Sequence, residues 1–228
     1  MKGHRHKIGI TLVEMLVVVA IVVILVSITV SIATRVDNQA KEQLIESTFM
    51  LLNTALQQFS DFRYGYDHTG YGSVAERNFY VGLDFPIDCN GFSRAGLETE
   101  LEKVFNQPVV ITATGHDPNY SSGEAMYLLL SRVPECRETL DKIDASLITN
   151  LGSDRVPMSI TIGGRTQPLL RIVDPWGVDP LRRALRYDYY DEWEADFDYR
   201  RESKRNFPLI ISAGPDRIFG TIDDIANR

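Results

Sequence analysis

The chain is poor in the residues that usually carry enzyme chemistry. It has 4 His and 2 Cys in 228 residues, and two of the His, His4 and His6, fall in the first few positions. No His/Cys metal spacing and no Gly-rich phosphate loop of the Walker type occurs, so no motif here binds nucleotide. No Gly-x-Ser-x-Gly nucleophile motif accompanies His68 or His116, the two His left for a Ser–His–Asp triad. Basic residues are outnumbered: 24 Lys and Arg face 31 Asp and Glu, for a net charge of −7. With the three cations Lys2, Arg5 and Lys7 and the acid Glu14 set aside, the remainder carries −9. A phosphate grip needs clustered Lys and Arg, so nucleic acid is not an expected partner. No proline occurs from Met1 to Arg77, which excludes a proline kink from the first third.

What fills that third is apolar. From Ile10 to Ala33 the chain runs 24 residues with a single charged group, Glu14. A bilayer core is about 30 Å thick and about 20 apolar residues span it as a helix. The run is rich in Val and Ile, only fair helix formers in water, but in lipid a lone segment must satisfy its own backbone and is helical. Lys2, Arg5 and Lys7 precede it, which places the N-terminus on the cytoplasmic side and everything after Arg35 outside. A cleaved secretory signal would end in a small-residue site, and Ser31-Ile32-Ala33-Thr34-Arg35 is a poor one. An uncleaved signal anchor would be indifferent to Gly9 and Glu14. An acid inside such a segment is by default functional.

The run Gly9-Ile10-Thr11-Leu12-Val13-Glu14-Met15-Leu16-Val17-Val18-Val19-Ala20-Ile21 resembles the N-terminus of type IV pilins and type II secretion pseudopilins. The resemblance implies that a prepilin peptidase cuts after Gly9 on the cytoplasmic face and methylates the new amine of Ile10. Glu14 is then the family's glutamate, whose partner is the amine of a neighbouring subunit as helices bundle into a filament. The physics agrees: Glu14 lies one turn from the new cation and near the positive end of the helix dipole. Ile10 stands where Phe or Met is commoner. Major subunits usually carry a proline late in this segment; Ser31 stands there instead, and Ser27, Thr29 and Ser31 can bond back to carbonyls and ease local loosening.

Beyond the membrane run, Val36, Ala40, Leu44, Leu51, Leu52, Ala55, Leu56 and Phe59 recur at helical spacing, with Asp37, Lys41, Glu42, Glu46 and Gln57 mostly opposite. One helix from about Thr11 to Phe62 is expected, stopped at Gly65. Strands are read at Phe79 to Val81, Val109 to Thr114, Met158 to Ile162, Leu169 to Val173, Leu181 to Tyr187 and Phe207 to Ile211. A second helix covers Glu124 to Leu130, opened by Ser121-Ser122 and stopped before Pro134. The expected fold is α+β and type IV pilin-like, a long N-terminal helix packed on a small antiparallel head. Its parts are a leader at 1–9, a membrane or filament-core helix at 10–33, an amphipathic continuation at 34–63 and a head at 64–228.

An oxidising exterior favours a bridge between Cys89 and Cys136, worth about 2–4 kcal/mol; two buried thiols are the alternative. From Tyr187 to Tyr199 aromatic and acidic residues alternate, as in a strand with one apolar and one acidic face, broken at Tyr190 and Asp191. Asp174-Pro175-Trp176-Gly177, with Pro180 and Tyr187, is similar to a stretch of the major type II pseudopilin. Ser212-Ala213-Gly214-Pro215-Asp216 followed by Gly220-Thr221-Ile222-Asp223-Asp224-Ile225 resembles that family's calcium loop. This second resemblance implies Ca2+ held by Ser212 and by Asp223 or Asp224, with Asp216 a further candidate and main-chain oxygens near Ile210 and Ile225 completing the six to eight ligands. The alternative is a solvated Gly/Asp turn.

These readings converge on a non-enzymatic filament subunit, anchored once in the inner membrane with a periplasmic head. Its implied partners are other pseudopilins, prepilin peptidase, an inner-membrane assembly platform and a separate ATPase. A signal-anchored extracytoplasmic hydrolase or binding domain is the alternative; in it Gly9 and Glu14 would be freely replaceable.

Overall fold

The structure, a computed structural model, describes residues 12–69, 85–87, 89, 91–112, 114–177, 186–188 and 207–227. The expected strand at Phe79 to Val81 and most of the Tyr187–Tyr199 alternation lie outside the described residues. By internal contacts the chain divides into two units, Met1–Lys41 and Glu42–Arg228.

Helix α1 (Leu12–Thr69) is 58 residues long. In the first unit its apolar side chains are exposed all round, from Leu12 and Val13 to Val30 and Ile32. Ser27 donates its hydroxyl to the Val23 carbonyl at 2.8 Å, and Thr29 does the same to Leu25, so these polar groups are satisfied within the helix itself. In the second unit α1 buries one stripe: Ile45, Phe49, Leu52, Ala55, Leu56 and Phe59. The stripe sits partly off the expected one. Val36 is exposed and Leu44 and Leu51 are only half-buried. The helix also runs through Gly65 to Thr69 rather than stopping there. One glycine inside a helix costs about 1 kcal/mol, too little to end it alone.

Among the described residues the head adds three shorter helices. The first, α2 (Arg94–Phe105), went unread in the sequence; Ser93 caps it by accepting the Gly96 N–H at 3.3 Å, and Asn106 closes it with φ 48°. The next, α3 (Ser121–Leu130), follows a 3-10 turn at Pro118–Tyr120 and is buried along its whole length. The last, α4 (Pro134–Leu140), starts at the proline expected to act only as a stop; a first-turn proline loses no helical hydrogen bond.

Among the described residues the strands form three small antiparallel sheets. Strands β1 (Val109–Ile111), β3 (Ser159–Ile162) and β4 (Arg165–Pro168) pair in the order β1-β3-β4. β2 (Ile148–Thr149) pairs with β5 (Arg171–Ile172). β6 (Arg186–Asp188), β7 (Leu209–Ser212) and β8 (Ile225–Ala226) make the third sheet. Two apolar clusters underlie them. One gathers the α1 stripe with Met126, Leu129 and Leu130 of α3, Leu140 of α4 and Ile210 of β7. The other gathers Leu97 and Leu101 of α2 with Val109, Ile111 and Ile160 of the first sheet, and with Ala125 and Leu128 of α3. Buried on all sides, α3 serves both. The layout is the expected α+β one.

Candidate functional site

Glu14 stands in the first turn of α1, the only acid there. Gly9 and Ile10 lie outside the described residues. From Leu12 to Phe62 the helix is long and apolar enough to cross a membrane, and the crossing stretch is wholly exposed within the chain. A soluble protein rarely leaves so large an apolar surface uncovered; lipid or neighbouring helices are what cover one.

The second place of interest is the C-terminal segment. β7 and β8 pair with Ser212 opposite Ile225, which brings Ser212 to the base of the loop that Asp216, Asp223 and Asp224 occupy. The Ser212 hydroxyl donates to Asp174 Oδ2 at 2.6 Å and accepts the Gly214 N–H at 3.2 Å. Asp174 Oδ2 also accepts the Ala213 N–H at 3.0 Å, while Oδ1 accepts the Trp176 N–H at 2.9 Å. This buried carboxylate thus ties the Asp-Pro-Trp-Gly turn to the end of β7. Burial pushes its carboxyl above the usual range, and the bonds from Ser212, Trp176 and Ala213 oppose the shift. The sequence offers the Asp-Pro turn as a signal for the Trp176 contact; nothing in it shows that Asp174 would reach Ser212.

The loop acids mostly serve the loop. Asp223 accepts the Thr221 hydroxyl at 2.6 Å and the Asp216 N–H at 2.9 Å, which hold its carboxyl below the usual range. Asp216 accepts the Ile218 N–H at 2.7 Å. Asp224 Oδ2 accepts the Gly220 N–H at 2.7 Å, but Oδ1 is buried with no hydrogen-bond partner. Burial raises the Asp224 carboxyl, and the charges of Asp216 and Asp223 raise it further. A side chain at Gly214 (φ 61°) would strike the Asp223 carbonyl, its Cβ falling 2.1 Å from that oxygen. Among the described residues no three Asp, Glu, His or Cys side chains converge to hold a metal. Side chains alone therefore make no calcium cage, and the donor set there is mixed: the orphaned Asp224 oxygen, a Ser212 lone pair and main-chain carbonyls.

The expected disulfide is not formed. Cys89 and Cys136 are both buried and unbridged, Cys89 in the α2 cluster and Cys136 in the α1 cluster. Cys136 donates to the Ala55 carbonyl at 3.1 Å, and burial pushes its thiol up to about 12. Spacing in sequence carried no information on which core each would enter.

His116 does lie beside a serine and an acid. Its Nε2 is 3.2 Å from Ser121 Oγ and 3.3 Å from Glu124 Oε2. A catalytic relay uses both ring nitrogens, one toward the nucleophile and one toward the acid. Here both contacts fall on Nε2, and Ser121 donates its proton to the Phe92 carbonyl at 2.6 Å. Glu124 is instead the partner of buried Arg171, at 3.5 Å, whose guanidinium lies 3.8 Å over the Tyr120 ring and donates to the Leu151 carbonyl at 2.6 Å. This is a polar knot joining α3, β5 and two loops. His68 lies on α1, its side chain outside the described residues.

A family model described as the prokaryotic N-terminal methylation motif matches residues 4–30. The match ends well before the C-terminal motifs. No curated protein and no solved structure matches the chain. The matched family is structural rather than catalytic. The chain therefore carries the N-terminal methylation motif at the start of a long apolar helix whose first turn holds Glu14.

Proposed function

We propose that this protein is a pseudopilin-like subunit of a type II secretion filament or a related pilus-like filament. The observation that carries the reading is the methylation motif running directly into an exposed, lipid-length helix with one acid in its first turn. Prepilin peptidase removes Met1 to Gly9 and methylates Ile10. Before assembly the helix spans the inner membrane, with the leader cytoplasmic and the head periplasmic. During assembly the carboxylate of Glu14 pairs with the Ile10 amine of a neighbouring copy. That pairing offsets the cost of an acid in lipid, about 2.5–3.5 kcal/mol at mid-bilayer and less near the face. Work comes from a separate cytoplasmic ATPase through the assembly platform, since this sequence shows no nucleotide motif.

Calcium at the C-terminal loop belongs to the same proposal. The buried, unpartnered Asp224 Oδ1 supports it, as do two further acids on that loop. Asp224 and Ser212 would hold the ion together with main-chain oxygens. The chemistry such an ion supplies is neutralisation of a loop that concentrates negative charge.

The deciding experiment is the intact mass of the protein recovered from membranes, with and without prepilin peptidase. Loss of Met1 to Gly9 plus one methyl group, only where the peptidase is present, is the expected result. An intact leader in both strains overturns the reading and leaves a signal-anchored exterior domain.

A further inference from the structure

Among the described residues the first sheet has two edges, and β1 forms one of them. Val110 stands opposite Thr161 of β3, and Thr112 donates its N–H to the Ser159 carbonyl at 2.9 Å. By the alternation of a strand, the N–H groups of Val109 and Ile111 point the other way, to the open side. An open row of this kind is a template for a strand from another chain.

Both groups are taken, and by side chains. Val109 donates to Glu102 Oε1 at 3.1 Å and Ile111 to Glu98 Oε1 at 2.7 Å. The two spacings match. Four residues of helix advance about 6 Å, and two residues of strand about 6.8 Å. Two carboxylates one helical turn apart therefore meet two amides two strand residues apart. Leu97 and Leu101, each one position before a glutamate, are buried in the same cluster as Val109 and Ile111 and hold α2 against the strand. Arg94 lies 3.8 Å from Glu98 on the solvent side. The opposite edge, β4, is blunted by other means. It ends in Pro168, which has no N–H, and begins with the exposed charge of Arg165.

We propose that α2 is an edge guard. Its Glu98 and Glu102 carboxylates occupy the donor row that an added strand from a second copy of this chain would need. Heads are thereby kept from pairing edge to edge, and self-association is left to α1. The last clause rests on the filament reading above; the guard itself does not.

The test uses the full chain in detergent micelles, carrying Glu14→Ala so that association through α1 is removed. Amide exchange is read residue by residue. Glu98→Ala should speed exchange at Ile111, and Glu102→Ala at Val109, each about tenfold, the loss of one hydrogen bond to a charged acceptor. Val110 and Thr112, bonded to β3, should keep their rates. The double Ala variant should also show a larger mass by light scattering than the Glu14→Ala parent. Gln at both positions, which keeps an acceptor oxygen, should restore the parent's mass. Unchanged exchange at Val109 and Ile111 overturns the proposal, as does a double variant that exchanges faster yet gains no mass. If the double variant fails to fold, the single variants decide by their crossed pattern. A Glu14→Ala parent that still assembles into filaments counts against the filament reading, while the exchange pattern still judges the guard.

Discussion

Two stretches of one helix behave as if they belonged to different proteins. From Leu12 to Ile32, α1 exposes Val, Ile and Leu side chains, most at half or more of their surface. From Ile45 to Phe59 it exposes almost nothing of its apolar stripe. Hydropathy and pattern both differ. The first stretch is apolar all round and stays exposed among the described residues. The second alternates, with Lys41 bridging Asp37 at 2.7 Å just before it, and its apolar side is met by α3, α4 and β7. A continuous apolar surface calls for lipid or for several neighbouring helices; a single stripe calls for one core. The difference separates a stretch left for something outside the chain to cover from a stretch that builds the head's own core.

The largest expected effect is a test of that separation. Glu14→Ala should abolish filaments seen by electron microscopy while the head's thermal unfolding stays within experimental error. A shift in head unfolding would break the comparison. Next, Phe59→Ala should lower head stability by about 3–5 kcal/mol in denaturant titration, whereas Val22→Ala, on the exposed stretch, should change it by less than about 0.5 kcal/mol.

Asp174→Ala comes third. It leaves the Ser212 hydroxyl and the Ala213 and Trp176 amides without their acceptor and should cost about 3 kcal/mol, with Asp174→Asn costing less. The smallest effect concerns pH. Burial holds the Asp224 carboxyl above its unfolded value, so its contribution to stability is full at acid pH and lost as pH rises through the folded value. In chelator, Asp224→Asn should therefore melt slightly higher than the parent, with a gap that widens as pH rises. The parent should regain the difference when calcium is added, and Asp224→Asn should not. Asp223, held low by Thr221, titrates with the opposite sign: its contribution is present above the ordinary carboxylate range and lost as pH falls below it.

Much of this was legible in the residues, for reasons that differ by element. α1 announces itself by length and period, and the β3 and β7 strands by short β-branched runs. α2 had a readable signal that went unread: Ser93 as cap, then Leu97 and Leu101 four apart. Pro134 both ends one helix pattern and begins another, and the first role hides the second. Gly65 was overvalued because helix propensity is a sum over neighbours, and one unfavourable residue is outvoted. The cysteine pairing and the reach of Asp174 to Ser212 depend on which segments meet across long stretches of chain, and local pattern is blind to that. Glu98 and Glu102 carry no local mark of their role, because nothing in a helix sequence shows that a strand edge lies beneath it.

The separated thiols have a practical meaning. Cys136 reports on the core that α1 enters and Cys89 on the core beneath α2. A thiol pushed up to about 12 and shut from solvent reacts with an alkylating reagent only when its surroundings open. Timed labelling followed by peptide mass would thus run two clocks in the unmodified protein, one for each core. Their ratio would tell whether the head opens as one cooperative body or in two steps.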